Sequence, residues 1–267
     1  MKKLIRIEYL KLRKLKSLRA IFLIYAVISP LAIYAISSFI TNFMGPFLPK
    51  DWSALQFPDV WPIAVYASSY FNVMMGVLAV IVISNEYNYK TFRQHVIDGL
   101  SIRQAIFSKF LVLLSFSLII TLYTFITGLI FGLVNTTSDA TVLEGVESIA
   151  YYFLQTLCYF SFAFFLTVLL RKTAVSITIF ILSFISETIL GLILAYGGFQ
   201  LIYAFMPLNA FSKLTPFPIL KEMIAAGQER SGNVPYILDT PINFALCLAY
   251  MLVFFLIAYF TLKKRDL

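Results

Sequence analysis

Charge is what this sequence has least of. Only 13% of its 267 residues are Asp, Glu, Lys or Arg, about half of the ~25% usual in soluble domains. Hydrophobic residues make up 60% and the mean hydropathy is +0.87, so a water-soluble fold is not expected. Histidine is represented once, by His95. It has no sequence partner that would suggest a metal site or a catalytic dyad. The two cysteines, Cys158 and Cys247, both fall inside apolar runs. They read as free buried thiols, and neither a disulfide nor a metal site is indicated. Intramembrane hydrolases need paired ionisable groups at depth, and Glu187 alone suggests itself as such a group. No G-x-x-x-x-G-K-[ST] phosphate loop occurs, so the chain is not expected to be an enzyme or to hydrolyse ATP itself. No internal repeat of the kind that marks secondary carriers is visible.

What the sequence has in quantity is apolar length. Residues 20–49, 60–85, 110–138, 148–170 and 240–262 lack Asp, Glu, Lys and Arg, and residues 173–212 are interrupted only by Glu187. A hydrocarbon core of about 30 Å needs ~20 helical residues. The expectation is an all-α integral membrane protein, a single domain over 1–267, with six spans near 20–41, 61–84, 107–134, 149–170, 174–195 and 242–262. The net charge of +8 points to cytoplasmic loops and anionic headgroups rather than to nucleic acid. With the N-terminus inside, 17 of the 21 Lys and Arg residues fall on the cytoplasmic side. Both termini are therefore expected in the cytoplasm, in the cell's inner membrane. Trp52 and Trp61 are expected in the aromatic belt at the outer end of the second span. The first apolar run is about twice as long as a signal-peptide core of 7–15 residues, so no cleavage is expected.

The stretch MKKLIRIEYLKLRKLKSLRA precedes the first span. Leu4, Ile7, Leu15 and Leu18 fall within an arc of roughly 80° on a helix, with Lys2, Arg6 and Arg13 opposite. This predicts an interfacial helix over residues 1–19, although Lys11 intrudes on its apolar face.

Between spans two and three lies a polar island, SNEYNYKTFRQHVIDGLSIRQAIFSK, residues 84–109. Tyr89, Phe92 and Val96 share one helical face, and Thr91, His95 and Asp98 share another. Gly99 is placed to stop that helix, and Ser101 opens a Ser-x-x-Gln capping box that starts the next. A second irregular stretch, LIYAFMPLNAFSKLTPFPILKEMIAAG, is apolar but broken by Pro207, Pro216 and Pro218. Continuous helix is not expected there, and short outer or re-entrant helices are expected within 196–241.

The island carries a Glu at the end of span two, a basic amphipathic helix, a Gly turn, S-x-R, and a Lys entering span three. In this pattern it resembles the permease subunits of type-2 ATP-binding-cassette (ABC) exporters. The resemblance implies a cytoplasmic coupling helix at 88–98 that sits in a groove on a separate ATPase subunit. The implied coupling residues are Glu86, Tyr89, Lys90, Phe92, Arg93, His95 and Val96, with Glu86 in a polar network joining the span to the coupling helix. Two ATPase chains are implied, holding ATP and Mg on themselves, with no cofactor bound directly by this chain. A second permease subunit, a copy or a relative, would complete a cleft lined by spans two and five. The candidates for that cleft are Tyr70, Asn72, Val73, Met74, Phe180, Phe184 and Glu187, which suit a hydrophobic or amphipathic substrate. For Glu187 three roles stay open: a cation ligand, a partner for a neighbouring helix, or a residue at the outer boundary. Gly128 and Gly132 form a G-x-x-x-G pair that fits either a dimer contact or packing within one subunit. A permease-like scaffold or immunity subunit, without transport of its own, is the alternative reading of the whole chain.

Overall fold

The structure, a computed structural model, describes residues 8, 11–13, 15–44, 53–88, 101–136, 141–219 and 238–264. Among them the fold is entirely helical. Glu8 and residues 11–13 are helical, and Leu15 breaks out in an extended conformation before α1, Lys16–Phe39. α1 continues as a π-helical turn, Ile40–Met44. Then come α2 (Val60–Ser69), α3 (Asn72–Asn88), α4 (Ile102–Asn135), α5 (Glu147–Leu170) and α6 (Thr173–Tyr196). Two short helices follow, α7 (Gln200–Ala204) and α8 (Pro207–Ser212), and the chain closes with α9, Thr240–Lys264. Five helices are long and apolar enough to cross a membrane, and α2 with α3 makes a sixth if the bent pair counts as one span. This is the architecture of a multi-pass membrane protein.

The second span is not the continuous helix expected over 61–84. α2 and α3 meet at 48°. No proline sits at the break. The Ser68–Ser69 pair does, and the Ser69 hydroxyl donates to the Tyr66 carbonyl at 2.7 Å, while Phe71 N–H turns back to Ser68 O at 3.1 Å. Side-chain hydroxyls that take ladder carbonyls are a recognised cause of helix kinks.

α5 is the central helix. Buried residues make up 78% of its apolar stretch, against 11% for α6. Its small residues, Cys158, Ser161 and Ala163, are fully or almost fully buried and let neighbours approach on every side. A helix apolar all round belongs in the interior or in lipid. α6 instead turns Leu182, Ile185, Ile189, Leu192 and Ile193 outward.

The α4 glycines resolve to packing within the chain. A Cβ on Gly132 would lie 2.2 Å from the Phe57 ring, and one on Gly128 would touch Ala64 and Trp61 at 3.3 Å. Trp61 is likewise not an interfacial residue. It is fully buried, stacks on Phe125 at 5.2 Å, and its indole N–H donates to Val142 O at 2.9 Å. Its amphipathic ring finds a partner inside the protein instead of at a headgroup. Trp52 lies outside the described residues.

The helix ends alternate between two ends of the bundle. At one end, Asn88 of α3 donates to the Thr173 hydroxyl of α6 at 3.0 Å, and Arg103 of α4 meets Tyr259 of α9 at 3.3 Å. The Arg171 guanidinium lies 5.8 Å above the Tyr87 ring. At the other end, Thr136 after α4 accepts from Phe57 N–H at 3.1 Å.

Candidate functional site

Four charged side chains converge where the N-terminal segment meets α3 and α4. Lys109, about two turns beyond the α4 cap, places its ammonium 2.6 Å from Glu8 and 2.8 Å from Glu86. Lys11 reaches the same Glu86 carboxylate at 3.1 Å. Glu8, Glu86 and Lys109 are buried, while the Lys11 side chain keeps 30% of its exposure. Each element positions its member for a local reason. Glu8 and Lys11 are both helical and both turn their charges toward this point. Glu86 lies in the last turn of α3. Lys109 is aimed by the start of α4, which the sequence fixes through its capping box: Gln104 N–H donates to Ser101 Oγ at 3.3 Å, and Ser101 N–H donates to Gln104 Oε1 at 3.1 Å.

The four charges sum to zero, which is the condition for holding them away from water. The consequence is mechanical. The two helices that flank residues 89–100, and the segment that precedes α1, are tied into one charged junction. The remaining coupling candidates, Tyr89, Lys90, Phe92, Arg93, His95 and Val96, lie outside the described residues.

A second polar centre grips α8. Glu187 of α6 accepts from the Leu208 and Asn209 backbone N–H groups at 3.2 and 2.6 Å. Pro207 opens the helix, so these are two of its orphan N-terminal donors, capped from another helix. At the other end, Phe211 O accepts from Gln155 of α5 at 3.0 Å, and Ala210 O accepts from Asn243 of α9 at 2.9 Å. Gln155 Oε1 in turn accepts from Asn72 of α3 at 3.2 Å, and Thr156 donates to Asn72 Oδ1 at 3.1 Å. Side chains from α5, α6 and α9 therefore satisfy the ends of one short buried helix, and α3 joins the same network. Of the three roles open for Glu187, the geometry is that of a partner for a neighbouring helix.

The other cleft candidates do not form one surface. Asn72 and Phe180 are in the interior of the chain, Asn72 by its hydrogen bonds and Phe180 because its ring occupies the space beside Gly76, where a Cβ would lie 2.2 Å from it. Phe184 stacks on Tyr159 at 5.5 Å. Val73 and Met74 are half-buried. Tyr70 is exposed, beside the break in the second span, and bonds to the Tyr66 hydroxyl. Glu8, Lys109, Gln155 and Asn243 were absent from the sequence-derived site. Gln155 and Asn243 carried a usable signal, since an uncharged amide inside an apolar run needs a partner.

Among the described residues no three His, Cys, Asp or Glu side chains cluster to hold a metal. What both centres do is join helices. Residues 22–267 match the family described as "Protein of unknown function (DUF2705)". The chain belongs to this family. No curated protein matches its sequence. The match covers all six candidate spans except the first residues of α1, and so takes in Glu86, Lys109, Gln155, Glu187 and Asn243. Glu8 and Lys11 precede it.

Proposed function

We propose that this member of the family is the membrane-spanning permease subunit of an ABC exporter. It would move a hydrophobic or amphipathic substrate with energy from separate ATPase subunits. The observation that carries the reading is the charged junction. Glu86 and Lys109 bracket residues 89–100, and a buried ammonium joins them directly at 2.8 Å. A force applied to the segment between them reaches α3 and α4 together, because separating the two would break the buried Lys109–Glu86 pair. Glu8 and Lys11 carry the same displacement to the N-terminal segment.

In this reading the junction end of the bundle faces the cytoplasm, as the Lys and Arg distribution indicates. Closure of two ATPase subunits around ATP pushes residues 88–98. The push tilts α3 and α4 as a pair and opens a cleft toward a second permease subunit. The bend between α2 and α3 lets the outer part of that span move less than the inner part. The α8 segment, held by Glu187, Gln155 and Asn243, closes the far end of the cleft as a re-entrant element. Glu187 then serves the fold of this segment and not the substrate.

Purification of the tagged chain from its native membrane tests the proposal. The expected result is an accompanying subunit with a G-x-x-x-x-G-K-[ST] loop, whose ATP turnover changes when amphipathic substrates are added. Phe92→Asp with Val96→Asp should release that subunit, or leave its turnover insensitive to substrate, with the spans intact. A chain that purifies without any ATPase, or whose ATPase ignores the double substitution, is a scaffold or another kind of membrane protein.

A further inference from the structure

An open groove runs between the N-terminal segment, α1 and α4, and no contact within the described residues fills it. Its first part, about 420 Å³, has Leu12, Arg13 and Leu18 on one wall and Leu111, Ser115 and Phe116 on the other. The second part, about 490 Å³, continues between Phe22 and Leu23 of α1 and Ile120 and Tyr123 of α4. Leu18, Arg19 and Ile119 line both parts, so the two are continuous. From Ser108 to Tyr123 the groove follows α4 for roughly 22 Å, at ~1.5 Å per residue. That is about three quarters of a ~30 Å hydrocarbon core, long enough to take one extended acyl chain.

The mouth of this apolar groove is cationic. Arg13 and Arg19 are both exposed there, and the Arg19 guanidinium donates to the Arg13 carbonyl, which holds the two together. Glu8 also reaches the mouth, but Lys109 occupies its carboxylate at 2.6 Å. Among the described residues no carboxylate pairs with either arginine. A positive rim above a long apolar slot complements a negative phosphate joined to a long acyl chain.

We propose that the groove binds one anionic glycerophospholipid, with its phosphate on Arg13 and Arg19 and one acyl chain laid along α4 toward Tyr123. The lipid braces the N-terminal segment against α4, beside the Glu8–Lys109 pair. It makes the charged junction sensitive to the lipid composition of the leaflet around it. The proposal stands whether or not the chain transports anything.

Native mass spectrometry of the full-length chain in detergent tests it, with dioleoyl-phosphatidylglycerol and dioleoyl-phosphatidylcholine as the probes. Wild type should retain one phosphatidylglycerol, at least about tenfold more tightly than phosphatidylcholine. Arg13→Gln with Arg19→Gln should abolish that preference. Ser115→Trp, at an exposed position, blocks the slot and leaves both arginines, and it should weaken both lipids. Millimolar inorganic phosphate should not displace the lipid, because the acyl chain supplies much of its affinity. Equal retention of the two lipids overturns the proposal. So does a preference that survives loss of both arginines, binding unchanged by Ser115→Trp, or full displacement by inorganic phosphate.

Discussion

Lys109→Met removes one ammonium and leaves the side-chain length nearly unchanged. In the native chain that ammonium lies 2.6 Å from Glu8 and 2.8 Å from Glu86, and its side chain is 4% exposed. Without it, Glu8 loses its described cationic partner and Glu86 keeps the more exposed Lys11 at 3.1 Å. Removing one member of a buried pair typically costs about 3–5 kcal/mol, because the remaining charge stays away from water. If about 3 kcal/mol falls on the unfolding barrier, the lifetime at a fixed temperature shortens roughly a hundredfold. The assay is loss of the monodisperse peak of the purified chain in detergent, followed against time. Lys11→Met, at the exposed edge of the cluster, should cost no more than about 1 kcal/mol. The triple exchange Lys109→Met, Glu8→Gln, Glu86→Gln should recover most of the lost lifetime, because neutral replacement of a whole buried pair is often tolerated. A Lys109→Met lifetime within twofold of wild type would mean that the ammonium does not hold the junction together. A triple variant no better than the single one would mean that the stranded charge is not the cause of the loss.

Other substitutions test the remaining contacts. Glu187→Ala strips the cap from α8 and should cost about 1–2 kcal/mol, seen as faster proteolysis within residues 200–219, whereas Glu187→Gln, which keeps one acceptor oxygen, should cost less. Gly76→Ala forces a methyl against the Phe180 ring, 2.2 Å away. It should destabilise by about 1–3 kcal/mol, and a second change, Phe180→Leu, should relieve part of that loss in the same lifetime assay. A cysteine introduced at position 95, with Cys158 and Cys247 replaced, should react with an impermeant maleimide only after the cells are opened. Reaction in intact cells would place the junction outside.

Apolar length, caps and breakers are local properties, and they can be read from a sequence without knowing what packs against what. The Ser101–Gln104 box and the stop before Pro207 are both readable from neighbouring side chains, and both are present. Lys11 is the instructive case. On the helical wheel it spoils the apolar face. In the fold it points inward because Glu86, distant in sequence, waits there. A charge on the wrong face is a partner signal, but the identity of the partner belongs to the tertiary structure. The same limit applied to Trp61, Asn72 and Phe180. Their residue types suit an interface or a cleft, and only the packing of α3 on α5 and α6, and of α4 on α2, buries them. The bend in the second span was hidden because no proline or glycine stands at Ser68–Asn72 to mark it.

The measurement that bears most directly on the account is photo-crosslinking from position 95 in living cells. A photoreactive amino acid replaces His95, and the adducts are identified by mass spectrometry. The expected product is a covalent adduct with a cytoplasmic subunit that contains an ATP-binding phosphate loop, lost when Phe92→Asp and Val96→Asp are combined with it. An adduct with an extracytoplasmic protein, or none with any nucleotide-hydrolysing subunit, would contradict it.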